Sequence, residues 1–596
     1  MKQFFLTMAG VFAAFFLMLM IPIMLLVAVG LFATGSQKAV TTAAKSKAGH
    51  IVLRVDLRVP MLDQSRNSIL GGARPSLVGL VETLQRAEKD KRVKGLFIRA
   101  NSFGMPPAQA EELRDALKSF RDTGRFVIAH AQGFEGTSVT SYLSVSAADE
   151  IWLQKSANFS ATGIGSQVEF FGGVMEKFKA KPEFEQFYEF KSAANAYTKK
   201  TFTPAHRQSV MSYLGSIYDS ALGAISEDRG IKDADLRTLI ENGPYSAEEA
   251  VKNGLVDHLG QVIEAREAAM EKAENGAIVS ITDYAQQKAK LKTLAGKGPI
   301  IALIEGQGEI VMGESDNNPF SNSVSIASDT MARTIMQAAN AKNVKAIVLR
   351  IDSPGGSAIA SDQIWYAVER AKKAGKIVVV SMGQLAASGG YYYAAGADYI
   401  FAQPTTLTGS IGVLGGKIVL DDTFDLVGYN VEPVAVGGEY TLAFSSVQSF
   451  TPTQRKAFRN AMAQTYEDFT SIVAQGRKMP LETVLELAKG RIWTGEQAKK
   501  NGLVDELGGL RDAIKKAREL AEIADDAKVK IRRFPTPISP VQQLKRYFGI
   551  STETAQAMAR INALMETPQM KALMKTSSKM QEKPVSLKAE VPVFAH

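Results

Sequence analysis

The chain carries the same pattern of residues twice, about 250 positions apart. Lys94–Arg99 aligns with Lys345–Arg350, and Lys252–Asp257 aligns with Lys500–Asp505. The offset between the aligned residues differs by only a few positions between these two pairs of runs. Because the period is far longer than that of any solenoid repeat, it predicts the duplication of a complete domain.

Two positions break the repetition in a complementary way. Ser388, within the run Ala386-Ala-Ser-Gly-Gly390, falls opposite Val139. Lys191, within the run Phe190-Lys-Ser-Ala193, falls opposite Glu439. Each copy therefore keeps a reactive residue that the other lacks, which makes Ser388 and Lys191 the first candidates for chemistry.

Both copies show the pattern of an α/β domain. Each opens with a short apolar run, Ile51–Leu57 in the first copy and Ile300–Glu305 in the second. In the second copy, further β-branched runs at Ala346–Ile351 and Ile377–Ser381 alternate with segments of helical periodicity. This alternation is typical of parallel βαβ units.

The N-terminus predicts a membrane anchor. No charged residue occurs between Gln3 and Ala33, which is long enough to span a bilayer and longer than the core of a cleavable signal peptide. Lys2 precedes this segment and Lys38 follows it, so charge alone leaves its orientation open. The predicted organisation is an anchor at 1–35, a linker at 36–48, an N-terminal domain at 49–292, a C-terminal domain at 293–530 and an extension of unassigned role at 531–596.

Composition narrows the function classes. The chain has no cysteine, which excludes disulfides and thiolate chemistry. Its net charge of +9 comes from basic residues spread along the chain, without an aromatic–basic recognition motif. We therefore expect no nucleic-acid partner and favour a basic surface that faces anionic lipid.

Two glycine-rich turns in the second copy are candidates for catalysis. Strand Ala346–Ile351 leads into Asp352-Ser-Pro-Gly-Gly356, whose backbone N–H groups at Gly355 and Gly356 can hold an oxyanion. Taken alone, this motif is more typical of a tight turn. Ser388 precedes two glycines at the end of the next strand, which suits a nucleophile whose own N–H is a second oxyanion donor. A helix N-cap is the alternative interpretation of Ser388.

A serine nucleophile needs a base, and the histidines are poor candidates for it. None of the five marks a position that fits a shared site, and they are His50, His130, His206, His258 and His596. A buried lysine can act as the base when desolvation lowers its pKa. Lys191 follows the aromatic stretch Phe184–Phe190, which predicts a half-buried setting. Ser410, in Leu407-Thr-Gly-Ser-Ile-Gly412, is a candidate to orient the lysine ammonium, although this motif also suits a simple turn.

Taken together, these motifs resemble the long-form SppA signal peptide peptidases. The resemblance covers about residues 49 to 525 and the N-terminal anchor. It implies two tandem ClpP/crotonase-like domains, with Ser388 as nucleophile, Lys191 as base, Ser410 as the residue that holds the lysine, and Gly355 or Gly356 in the oxyanion hole. It also implies a homotetramer on the periplasmic side of the bacterial inner membrane, acting on released signal peptides and other hydrophobic peptides.

The expected function is therefore a membrane-anchored serine endopeptidase that works through an acyl-enzyme without a metal or cofactor. Two other functions stay open at this point. A crotonase-like acyl-CoA enzyme also uses paired backbone donors around an oxyanion, and a non-catalytic membrane scaffold would use the duplication for assembly alone. Covalent labelling of Ser388 separates the peptidase from both.

Overall fold

The computed structural model describes residues 49–536, apart from residues 65–66, 69–71, 74–75, 292–297, 316–323 and 525–526. The predicted anchor, the predicted linker and the chain beyond residue 536 lie outside the described residues. None of the described helices combines the length and the apolar character needed to cross a bilayer.

The chain divides into two compact units, the first of which holds both copies of the repeat. The second unit comprises residues 67–70, 317–321 and 538–596, and its described part is strand β2, Asn67–Ser68. All other elements named below belong to the first unit.

The strands of the first copy are β1 (Ile51–Asp56), β3 (Gly72–Ala73), β4 (Val93–Arg99), β5 (Phe126–Ala131), β6 (Glu150–Leu153), β7 (Asn158–Phe159), β8 (Lys181–Gln186), β9 (Tyr245–Ser246), β10 (His258–Leu259) and β11 (Ala277–Ser280). Those of the second are β12 (Ile300–Gln307), β13 (Glu309–Val311), β14 (Ser325–Ala327), β15 (Val344–Ser353), β16 (Ile377–Ala387), β17 (Tyr399–Ala402), β18 (Leu407–Gly409), β19 (Leu414–Val419), β20 (Ile492–Thr494), β21 (Glu506–Leu507) and β22 (Lys530–Phe534).

The helices of the first copy are α1 (Leu77–Ala87), α2 (Pro107–Asp122), α3 (Thr140–Leu143), α4 (Gly172–Lys177), α5 (Asn195–Thr198), α6 (Pro204–Arg229), α7 (Asp233–Glu241), α8 (Ala247–Lys252), α9 (Val262–Lys272) and α10 (Ile281–Leu291). Those of the second are α11 (Ser328–Asn340), α12 (Ala358–Lys373), α13 (Gly389–Ala394), α14 (Asp421–Asp425), α15 (Pro452–Arg477), α16 (Leu481–Leu487), α17 (Gly495–Lys500) and α18 (Leu510–Leu520). Short 3₁₀ helices cover Ser192–Ala194 and Glu439–Leu442.

The two copies build the same sheet. The strand order of the first copy is β11-β1-β4-β5-β6-β10, and all of these neighbours are parallel. The second copy repeats this order as β22-β12-β15-β16-β17-β21, again parallel. It adds β18 beside β16 and an antiparallel β20 at the edge. The duplicated α/β fold predicted from the sequence is confirmed.

The central strands are apolar on both faces because helices cover each sheet on both sides. In the second copy, Ala302 and Ile304 of β12 pack into one buried cluster, while Ile301 and Leu303 pack into another beneath α18. Val78 of the first copy belongs to that second cluster. The core of one copy is therefore completed by a helix of the other.

A two-stranded ribbon also joins the copies. Strand β8 of the first copy pairs antiparallel with β19 of the second, from Gln186 opposite Leu414 to Lys181 opposite Val419. This ribbon carries the chain that follows β8 towards the carboxyl ends of β16 and β18, where it reaches the candidate residues of the second copy.

The second copy extends slightly beyond its predicted end. Strand β22, Lys530–Phe534, lies parallel to β12 at the edge of the sheet, whereas the sequence placed the domain boundary at residue 530. The segment contains Lys530, Arg532 and Arg533, and such charged residues are common on edge strands but hide the strand pattern.

Candidate active site

Ser388 lies at the turn between β16 and α13, with φ 53° and ψ −121°. It occupies the N-cap position of α13, but its side chain makes no capping hydrogen bond. A non-glycine residue at positive φ is strained, and such strain often marks a functional site. The N-cap interpretation of Ser388 is therefore not supported, because its hydroxyl is free for another partner.

The small residues around Ser388 are required by close packing. A Cβ atom added to Gly355 would lie 2.7 Å from the Cβ of Ser388 and 2.8 Å from the N of Gly389. Gly355 also has φ 99°, which disfavours any other residue. The turn Asp352–Gly356 is thus held directly against the serine, as its position at the end of the neighbouring strand predicts.

Lys191 reaches Ser388 from the other copy. After β8, the N–H of Phe187 donates to the carbonyl of Val413 at 3.0 Å, which extends the ribbon beyond its last strand pair. Gly490 packs so closely on Lys191 that an added Cβ would lie 2.5 Å from the lysine Cβ. These contacts fix the backbone of Lys191 at the site.

The lysine ammonium group makes three hydrogen bonds, all to the second copy. Lys191 Nζ donates to Ser388 Oγ at 3.1 Å, to the carbonyl of Ser410 at 2.8 Å and to Ser410 Oγ at 3.0 Å. Lys191 and Ser388 are 197 positions apart in the chain. The structure therefore brings together the three side chains that the sequence singled out.

Burial favours the neutral form of Lys191, the form in which a lysine can accept a proton. The residue is only 8% exposed, and this desolvation lowers its pKa from the usual 10.5 to about 8. A lysine with this pKa is neutral in about one molecule in ten at pH 7. A general base close to the working pH combines a useful neutral fraction with proton affinity.

Ser410 holds the lysine by its position as well as by its hydroxyl. It has φ 48°, and its N–H donates to the carbonyl of Arg491 at 2.8 Å. This conformation turns both the carbonyl and the hydroxyl of Ser410 towards Lys191. The first copy has no counterpart of this serine, because Ala161-Thr-Gly-Ile-Gly165 is one residue shorter there.

The backbone N–H groups that stay open beside Ser388 differ from those expected for an oxyanion site. The N–H of Ser388 donates to the carbonyl of Gly409 at 2.9 Å, and the N–H of Gly355 donates to Ser353 Oγ at 3.1 Å. Both predicted donors are therefore engaged. Within the described chain, the N–H groups of Gly356 and Gly389 have no acceptor.

These two open donors lie side by side. A Cβ atom added to Gly389 would lie 3.4 Å from the N of Gly356. The predicted Ser388 N–H is corrected to Gly389, and of the two predicted turn glycines it is Gly356 that is available. Sequence reasoning missed Gly389 because only the backbone geometry shows that the Ser388 N–H bonds β18.

Arg350, three residues before the Ser353–Gly356 turn, ties this region to the first copy. It is completely buried, with its guanidinium bonded to Asp63 at 2.5 and 2.9 Å and to Glu112 at 2.6 Å. It also donates to the carbonyl of Met382 on the strand that leads to Ser388, at 3.2 Å. Two carboxylates of the first copy therefore brace both strands that end at the site.

The described histidines lie away from Ser388. His130 Nε2 contacts the carbonyl of Gly260 at 3.1 Å, and His50 lies 3.5 Å from Glu274. His258 is 3.6 Å from Glu150, and His206 packs against Phe202. No histidine in this part of the chain replaces Lys191 as the partner of the serine.

Comparison with known proteins agrees with the duplicated domain. The sequence model of Peptidase family S49 matches twice, at residues 119–275 and 370–524, and that of Clp protease matches residues 320–407. Protease 4 of Salmonella typhi is 32% identical over 463 residues, covering 75% of this chain and 72% of the relative.

Two further relatives cover most of the chain. Protease 4 of Haemophilus influenzae is 29% identical over 536 residues, which is 85% of this chain and 84% of the relative. The chloroplastic serine protease SPPA of Arabidopsis thaliana is 29% identical over 507 residues, 84% of this chain and 73% of the relative. The chain is therefore a serine peptidase of family S49, with the two-copy organisation of the long-form SppA peptidases.

Proposed function

We propose that this peptidase cleaves apolar peptides, such as released signal peptides, with Ser388 as nucleophile and Lys191 as base. The observation that carries this proposal is the hydrogen bond from the buried Lys191 Nζ to Ser388 Oγ, next to two unengaged backbone donors. A nucleophile, a base with a lowered pKa and an oxyanion site are the three parts that acyl transfer requires.

In the first half-reaction, neutral Lys191 accepts the hydroxyl proton as Ser388 Oγ bonds to the peptide carbonyl carbon. The carbonyl oxygen becomes an oxyanion, and the N–H groups of Gly356 and Gly389 donate to it. The carbon–nitrogen bond then breaks, and the Lys191 ammonium returns its proton to the leaving amine. An acyl-enzyme ester on Ser388 and a free C-terminal fragment are left.

In the second half-reaction, neutral Lys191 accepts a proton from water while the water oxygen bonds to the ester carbon. The same two N–H groups stabilise the second oxyanion. Breaking the ester bond restores Ser388, which regains its proton from Lys191. Throughout the cycle Ser410 accepts hydrogen bonds from the lysine and keeps Nζ directed at Ser388.

An apolar substrate is supported by features around the base and at the N-terminus. Tyr188, three residues before Lys191, is 48% exposed and its ring lies 5.2 Å from that of Tyr466. The uncharged segment Gln3–Ala33 supports an anchor that keeps the enzyme near membrane-derived peptides. The periplasmic location and the homotetramer stay predictions of the resemblance.

The test is hydrolysis of a fluorogenic apolar peptide by the detergent-solubilised full chain and by Ser388→Ala and Lys191→Ala. We expect both variants to fold and to lose hydrolysis. Lys199→Met, which removes an exposed lysine of the same copy, is the matched control and keeps full activity. Unchanged turnover in folded Lys191→Ala would disprove the assignment of the base.

A serine-directed fluorophosphonate separates the peptidase from the two other functions. The peptidase predicts one labelled residue, Ser388, and labelling that depends on Lys191. An acyl-CoA enzyme of the crotonase kind needs no serine nucleophile, and a scaffold has no activated residue. Either of these functions predicts an unlabelled protein.

A further inference from the structure

Arg491 is a cation close to the catalytic lysine that has no counter-ion among the described residues. Its guanidinium carbon lies 4.2 Å from the centre of the Trp493 ring and 5.3 Å from that of the Phe190 ring. Within the described chain, Arg491 forms no ion pair, and its buried Nε has no hydrogen-bond acceptor. Burial lowers its pKa, and no carboxylate in the described part of the chain offsets this effect.

The backbone of Arg491 is part of the frame that holds the base. Its carbonyl accepts the N–H of Ser410 at 2.8 Å, its neighbour Gly490 packs against Lys191, and its ring partner Phe190 directly precedes Lys191. The aligned position in the first copy is Gly243. The arginine therefore accompanies the copy that holds the nucleophile and is absent from the other.

The mechanism fixes the side of the substrate that meets this arginine. Lys191 returns its proton to the leaving amine, so the C-terminal fragment of the peptide begins beside Lys191. Arg491 is linked to Lys191 through Phe190, whose ring it contacts, and through Gly490, which packs on the lysine. A partly desolvated guanidinium between two rings matches the planar, two-oxygen geometry of a carboxylate.

We infer that Arg491 binds a carboxylate on the C-terminal side of the cleaved peptide bond, normally the α-carboxylate of a short peptide. This inference rests on the proposed function and specifies its substrate class. An apolar peptide has few acidic side chains, but every released linear peptide ends in a carboxylate. The enzyme would therefore favour free peptides with nearby C-termini over the interior of long chains.

The test compares one apolar peptide sequence with a free C-terminal carboxylate and with a C-terminal amide. For the wild type we expect kcat/KM to be about tenfold higher for the acid, the value of one charge-assisted hydrogen-bond pair at a partly exposed site. Arg491→Gln abolishes this preference by lowering hydrolysis of the acid alone. Amidated peptides with glutamate at successive positions distinguish the two carboxylate sources, since a side chain restores the preference only where it reaches Arg491.

Arg459→Gln is the matched control. Arg459 also stacks on an aromatic residue of this segment, with its guanidinium carbon 5.6 Å from the Phe187 ring centre, but it is paired with Glu185 at 2.8 Å. We expect this variant to keep the preference for the acid. Equal hydrolysis of acid and amide by the wild type, or an equal loss of both in Arg491→Gln, would overturn the inference.

Binding to the Ser388→Ala variant separates this inference from the proposed function. Fluorescence anisotropy of labelled acid and amide peptides measures recognition without cleavage. Tighter binding of the acid that disappears in Ser388→Ala/Arg491→Gln supports the carboxylate site, even if the wild type hydrolyses neither peptide. Equal binding of both peptides contradicts it, even if hydrolysis is normal.

Discussion

Arg99 and Arg350 are the last residues of the two aligned runs Lys94–Arg99 and Lys345–Arg350, but their surroundings differ. Arg350 is completely buried and bonded to two carboxylates of the other copy. Arg99 is partly buried beside Arg58, its Nε has no acceptor within the described residues, and burial lowers its pKa. Arg350 therefore braces the two copies against each other, whereas the aligned Arg99 makes no such bond.

The turns that follow these arginines also differ between the two copies. In the first copy, the N–H of Phe103 donates to Asn101 Oδ1 at 2.9 Å and that of Gly104 to the Asn101 carbonyl at 3.4 Å. In the second copy, the N–H of Gly356 stays open beside Ser388. The first copy therefore retains the fold but has Val139 and Met105 where the second has Ser388 and Gly356, and it contributes Lys191 and the brace to the second copy.

Moving the nucleophile to the first copy tests whether that copy can still form an active site. Ser388→Ala lowers peptide hydrolysis by about 10⁴-fold or more, since loss of a nucleophile leaves only residual catalysis. The double variant Val139→Ser/Ser388→Ala stays equally inactive, because Met105 stands where the second copy has Gly356 and Glu439 occupies the aligned position of the base. Initial rates and fluorophosphonate labelling measure both. Restored activity in the double variant would show that the first site is still functional.

Replacing Arg350 and Arg99 in turn tests whether the ion cluster of Arg350 braces the two copies. Arg350→Met strands Asp63 and Glu112 in the interior and lowers the free energy of unfolding by about 3–5 kcal/mol. Arg99→Met strands no buried carboxylate and costs less than about 1 kcal/mol. Denaturant unfolding followed by circular dichroism gives both values. Equal losses in the two variants would mean that the ion cluster does not distinguish the copies.

The pH dependence of kcat/KM tests the role of Lys191 as the base. Because the base works in its neutral form, kcat/KM rises with pH, by about tenfold per unit below the pKa, and levels off above about 8. The residual activity of Lys191→Met lacks this rising limb. A pH–rate profile from 6 to 10 measures both curves. A wild-type profile that does not change with pH would show that the rate does not depend on deprotonation of Lys191.

Ser410→Ala has the smallest expected effect. The variant removes one of the three hydrogen bonds of Lys191 Nζ and leaves the Ser410 carbonyl in place, so kcat falls by about tenfold while KM is unchanged. Ser445→Ala, whose hydroxyl accepts a hydrogen bond from the N–H of Val447, is the control and keeps full activity. A loss as large as that of Lys191→Ala would give Ser410 a direct part in the proton transfer.

Much of this arrangement is readable from the sequence because duplication provides an internal reference. The apolar runs at Ile51, Ile300, Ala346 and Ile377 all lie in strands of the two parallel sheets. Ser388 and Lys191 stand out because each is missing from the other copy.

The remaining features depend on contacts between distant segments. Arg99 and Arg350 look identical in sequence, since the difference lies in Asp63 and Glu112, more than 230 positions from Arg350. The switch from the Ser388 to the Gly389 donor follows from one backbone bond to Gly409. The pairing of β8 with β19 could not be predicted from the sequence either, because each strand alone has an ordinary half-buried pattern.

The most direct test of a base contributed by the first copy uses the absence of cysteine from the chain. Lys191→Cys introduces a single thiol, which aminoethylation converts into a lysine analogue whose thioether sulfur lowers the pKa of the amine. We predict that Lys191→Cys is inactive, that aminoethylation restores hydrolysis, and that the rising limb of the pH profile moves to lower pH. Activity in the unmodified variant, or rescue with an unshifted profile, would contradict a base at Lys191.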